Sequence, residues 1–159
     1  MDFTLTPYLK KPSFTTRTMR TVVACLSLLC APVWAALGGN ADTVLSDQQA
    51  FGASGTAQPI AGATLYTQTL PNGITIRQYV DPAGMVFAVG WEGPVLPDFQ
   101  RLLGAYFSTY QAGLSQQRRG VQLRNSDLVL ESGGMMRAFV GRAYLPPKLP
   151  AALGAQDIR

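Results

Sequence analysis

The sequence predicts an α+β domain: an antiparallel β-meander with one amphipathic helix packed across it and a further hairpin, in the order β-β-β-α-β-β. Three observations predict it. Three β-rich runs lie between residues 64 and 91, an apolar stripe at helical spacing begins at Phe99, and two more β-rich runs flank a glycine pair after residue 126. The connections within the first group are too short for a crossover, so they join antiparallel neighbours.

The runs are TLYTQTL (64–70), ITIRQYV (74–80) and MVFAVGW (85–91). Pro71-Asn72-Gly73 and Asp81-Pro82-Ala83-Gly84 separate them; proline fixes φ, and asparagine and glycine accept positive φ. In the second run Ile74, Ile76 and Val80 share one face, opposite Thr75, Arg77 and Tyr79. The third alternates a bulky face (Met85, Phe87, Val89, Trp91) with a small one, which predicts a central strand. Pro97 and Asp98 then suit a helix start. Phe99, Leu102, Leu103, Tyr106, Phe107, Tyr110 and Leu114 follow as a stripe that must pack on the sheet. Gly104 within it predicts a close approach to the strands. SDLVLES (126–132) and MMRAFVGRAY (135–144) read as a hairpin turning at Gly133-Gly134, with Met136, Ala138, Val140 and Tyr144 inward.

Four segments follow from this reading: a cleavable secretory signal over 1–35, a flexible or extended arm over 36–62, the core domain over 63–146, and a proline-rich tail over 147–159 lying on the surface. The signal rests on a three-part pattern. Lys10, Lys11, Arg17 and Arg20 precede an uncharged run from Thr21 to Val33, and Val33-Trp34-Ala35 offers small residues at the positions a signal peptidase reads. A run of about 13 residues falls short of the roughly 20 that span a bilayer as helix. The predicted cut lies between Ala35 and Ala36.

Cleavage rewrites the composition. Cys25 and Cys30 leave with the leader, so no disulfide is expected afterwards. Four of the 13 basic residues and one of the nine acids also leave, which lowers the net charge from +4 to +1. The basic character therefore belongs to the leader and gives no argument for nucleic acid. No transmembrane anchor is expected after processing.

The remaining chemistry is sparse. The chain has no histidine, and without mature cysteine it lacks soft metal ligands, a thiol nucleophile and an imidazole base. No catalytic residue, metal or cofactor site is predicted. Glu92 and Asp98 flank the strand-to-helix loop and form the one carboxylate pair that suits a hydrolase, although Asp98 also fits a plain helix cap. Asp127 and Glu131 would share a strand face. Arg118, Arg119 and Arg124 cluster after the helix and suit an anionic partner or the helix C-terminus. Tyr66 and Tyr79 are expected to be exposed. Tyr66, Tyr79, Arg118 and Arg119 are accordingly the candidate partner contacts.

ALGG after the cleavage site, GMVFAVGWEGPVLPDFQRLLGAYF (84–107) and SGGMMRAFVGRAYLP (132–146) resemble an exported proteobacterial family, domain of unknown function 2844. The resemblance runs from Ala36 into the tail and implies export from a Gram-negative cell. It carries over no catalytic residue, cofactor or substrate. The expected function is a non-enzymatic binding or assembly factor in the periplasm or outside the cell, with an envelope protein or polymer as partner. A carboxylate-dependent envelope hydrolase using Glu92 and Asp98 is the alternative.

Overall fold

The computed structural model describes residues 37–42, 53–116 and 120–159, all within one compact unit, Ala31–Arg159. Seven antiparallel strands form one sheet: β1 (Ser54–Ile60), β2 (Ala63–Thr69), β3 (Thr75–Val80), β4 (Val86–Gly93), β5 (Val121–Arg124), β6 (Val129–Met135) and β7 (Ala138–Tyr144), in the order β1-β2-β3-β4-β7-β6-β5. The meander, the helical layer and the second hairpin are all present. Two strands are additional. β1 lies inside the segment read as an arm, and its side chains are nearly all exposed at a sheet edge. β5 closes the other edge against β6.

The predicted turns between β2, β3 and β4 form as the residue types require. Gly73 takes φ 83° and donates to Leu70 O at 2.9 Å. Asp81 caps the next turn by accepting from the Met85 amide at 2.8 Å.

The helix is not continuous. It runs as α1 (Phe99–Leu103), a 3-10 turn (Gly104–Tyr106) and α2 (Phe107–Gln116). Asp98 caps α1, accepting from the Arg101 amide at 3.2 Å. Gly104, expected to ease close packing, instead ends α1 at φ 52°, ψ −120°, a conformation essentially reserved for glycine. Close approach occurs at Gly113, where a Cβ would stand 3.0 Å from Val121 Cγ1 and 3.1 Å from Leu123.

Phe99, Leu102, Leu103 and Tyr110 are buried over the sheet with Val86, Val89, Trp91, Leu130 and Ala143. Trp91 meets Phe99 edge-on at 5.1 Å between ring centroids, and Phe99 meets Tyr110 at 4.5 Å. Leu114 departs from the predicted stripe and is 47% exposed.

Three further expectations change. The bulky face of β4 is split, because register shifts between Tyr79 and Val80: Tyr79 pairs with Ala88 but Val80 with Val86. The extra residue, Phe87, is thrown to the face opposite the helices, as a bulge does. The second hairpin turns at Met136-Arg137, since Met135 pairs with Ala138. Gly133 and Gly134 therefore lie inside β6, and Met136, Ala138 and Val140 are exposed rather than inward.

The tail is the third change. Leu153 and Ile158 are buried in a second apolar cluster with Tyr79, Phe87 and Ala88. The tail thus forms a strap over the face opposite the helices. Ahead of the sheet in sequence, Leu37 is buried in the main core; its amide donates to Leu102 O at 3.0 Å, and Gly38 donates to Val86 O at 2.8 Å.

Candidate partner-binding face

Register places one row of residues across the strap side of the sheet: Thr67, Arg77, Gly90, Arg142, Glu131 and Gln122. Gly90 leaves the middle of the row open, and the Arg159 main chain occupies the place a Cβ would take. Arg142 organises the right half. Its Nε donates to Glu131 Oε2 at 2.9 Å, and its Nη1 donates to the strap carbonyls of Ala155 at 2.7 Å and Ile158 at 3.2 Å. Arg124 binds the other oxygen of Glu131 at 2.5 Å. Tyr79 holds the strap from the left; its hydroxyl donates to Asp157 O at 3.0 Å and accepts from the Arg159 amide at 3.1 Å.

These charges are spent on each other. Hydrogen bonds from Arg142, and then from Arg124, hold the Glu131 carboxyl below its ordinary value. Arg77 reaches Glu92 Oε1 at 2.7 Å and likewise lowers that carboxyl. A general acid at neutral pH needs the opposite shift. Asp98 is engaged at the start of α1 and lies 3.3 Å from Arg101 Nε. Glu92 and Asp98 thus answer to different arginines. Asp127 sits in a turn, its amide donating to Asn125 Oδ1 at 2.9 Å, so it shares no strand face with Glu131.

The strap covers only part of this face. Beside its end, a cavity of about 560 Å³ opens among Glu92, Glu131, Val140, Arg142, Ile158 and Arg159. A second, of about 370 Å³, lies between Glu92-Gly93-Pro94 and Arg137–Val140. Here the sheet end is apolar and uncovered. Met136 is 90% exposed, Met135 75% and Val140 54%, and Val95 and Leu96 follow directly on Pro94. Three of the six large exposed hydrophobic side chains among the described residues, Met135, Met136 and Val140, lie on the β6–β7 hairpin.

Of the candidate contacts, Tyr66 is half-buried against the main core on the helix side, and Tyr79, expected to be exposed, is 3% exposed. The bulge explains the second: it brings Phe87 beside Tyr79, at 6.3 Å between rings. Ala35, Ala36, Arg118 and Arg119 lie outside the described residues, whereas Arg124 is tied to Glu131. No group of three or more potential metal-binding His, Cys, Asp or Glu side chains occurs among the described residues. No helix among them is long and apolar enough to cross a membrane.

Sequence reasoning missed the Arg124–Glu131–Arg142 trio. Glu131 faces Arg142 only with the turn at Met136-Arg137; a turn at Gly133-Gly134 puts Glu131 opposite Met136. The family model described as "Protein of unknown function (DUF2844)" matches residues 33–158. No curated protein and no solved structure matches the chain.

Proposed function

The chain belongs to the DUF2844 family, and from that premise we propose that it is an exported, non-enzymatic binding or assembly protein of the cell envelope. The observation that carries the reading is the uncovered hairpin tip: Met135, Met136 and Val140 are exposed on β6–β7 beside a groove that Val140 helps to line. Clustered exposed apolar side chains rimmed by polar ones are typical of interaction surfaces. On the same face Glu92 and Glu131 are both held ionised by arginines, which favours binding over proton transfer. Export is supported by the leader pattern ahead of Ala36, and the net charge of +1 left after cleavage gives no pull toward nucleic acid.

The test has two parts. The intact mass of protein recovered from fractionated cells should correspond to a soluble envelope species beginning at Ala36. Formaldehyde crosslinking in intact cells should then convert a reproducible fraction to a larger adduct. An uncleaved cytoplasmic species, or no adduct, would overturn the reading. Turnover of an envelope polymer that Glu92→Gln or Asp98→Asn abolishes in a folded protein would replace it with the hydrolase.

A further inference from the structure

We propose that the β6–β7 tip and the exit of β4 form a docking site for a polypeptide segment that presents a carboxylate beside a large apolar side chain. This rests on the binding reading above and names the partner's chemistry.

Arg137 supplies the first observation. Among the described residues it is the only non-glycine in the left-handed region, at φ 65°. It occupies the second position of a two-residue turn, where glycine or asparagine is the relaxed choice. A strained residue that folding does not require is a candidate for function. The second observation is electrostatic. Arg77, Arg101, Arg124 and Arg142 each have a carboxylate partner, whereas Arg137 has no ion pair among the described residues. Its planar fork suits a carboxylate held bidentately.

The third observation is shape. The groove of about 370 Å³ runs from Arg137 along Ala138, Phe139 and Val140 to Glu92, Gly93 and Pro94, and the Glu92 carboxylate there is already neutralised by Arg77. It has room for an apolar side chain and the backbone that carries it. Met135, which pairs with Ala138, and Met136, which precedes Arg137 in the turn, are exposed beside these lining residues, and methionine adapts its shape to varied apolar partners. A polypeptide fits better than a lipid surface. One unpaired cation gives little attachment to anionic lipid, and residues 135–139 include no Trp or Tyr to anchor at a bilayer interface.

The experiment uses the chain from Ala36 onward and a random peptide library displayed on phage. Enriched peptides should share an acidic residue next to Leu, Ile, Met or Phe. Synthesised and titrated, they should lose at least tenfold in affinity when the acid becomes its amide, and likewise on Arg137→Gly or Met136→Gln. Arg137→Gly places the preferred residue in the turn, so its urea midpoint should be higher; the loss of binding is then no folding defect. Arg137→Lys should bind between the two. No enrichment, a consensus lacking the acid, or affinity indifferent to Arg137→Gly would overturn the proposal. Co-sedimentation with phosphatidylglycerol vesicles that Arg137→Gly abolishes would overturn it in favour of a lipid surface. If any of these results stands beside crosslinked adducts in cells, the binding reading survives and only the partner's chemistry falls; absence of adducts removes the reading itself.

Discussion

Replacing Ile158 with alanine tests whether the strap is part of the core or a surface segment. Ile158 is fully buried against the cluster of Tyr79, Phe87 and Ala88. The change removes three carbon groups, about 2.4 kcal/mol at about 0.8 kcal/mol for each. A residual cavity adds to that, although a strap can settle inward more than a strand can. The expected loss is about 3 kcal/mol, within the range of buried Ile→Ala changes. For a domain of this size that lowers Tm by about 12 °C. Urea unfolding followed by tryptophan fluorescence measures it, with the slope unchanged because the same surface is exposed. Hydrogen exchange provides the local readout: the Arg159 amide, bound to the Tyr79 hydroxyl, should lose protection first. A loss under about 1 kcal/mol, the scale of surface substitutions, would refute the assignment of the strap to the core.

Arg137→Gly should raise stability by about 1 kcal/mol, since left-handed backbone costs a non-glycine residue that much; an unchanged or lower urea midpoint would mean that Arg137 is not strained. Gly104→Ala should cost about 1–3 kcal/mol, because alanine does not tolerate φ 52°, ψ −120°; thermal melts of the pair compare them directly. Leu37→Ala should cost about 3 kcal/mol as a buried apolar truncation, with Leu37 only 2% exposed; a neutral result would remove this residue from the fold. Glu131 gives a pH signature. Its folded value lies below the ordinary 4.5, so the unfolded chain takes up its proton first on acidification. Stability that is complete at neutral pH should therefore fall as pH drops through about 4.5 and below. Glu131→Gln should flatten that slope in urea midpoints taken across the acid range, leaving the part due to Glu92.

Much of the architecture was legible because it is local. The two turns flanking β3 announce themselves through Pro, Asn, Asp and Gly, and the helical stripe through its period. What escaped depends on partners distant in sequence. β1 carries no apolar alternation, since it lies exposed at an edge and takes its conformation from β2. Phe87 changes face because of a bulge that residue pattern alone does not encode. The Gly133-Gly134 pair offered the cheaper turn, yet the chain turns at a strained Arg137, and that shift gives every residue of β7 a different partner in β6. With it the sheet end becomes the exposed face and Arg142 meets Glu131. The strap looked like a solvent-exposed tail because its burial rests on a few side chains, Leu153 and Ile158, spaced among Pro, Gly and Ala.

The most direct test of the account is a photo-crosslinking amino acid placed at position 136 in cells, compared with the same group at Thr56 on exposed β1. The account predicts a discrete protein adduct from position 136, none from 56, and loss of the first when Arg137→Gly is added. Equal labelling from both positions, or an adduct from 56 alone, would contradict the assignment of the β6–β7 tip as the partner-binding surface.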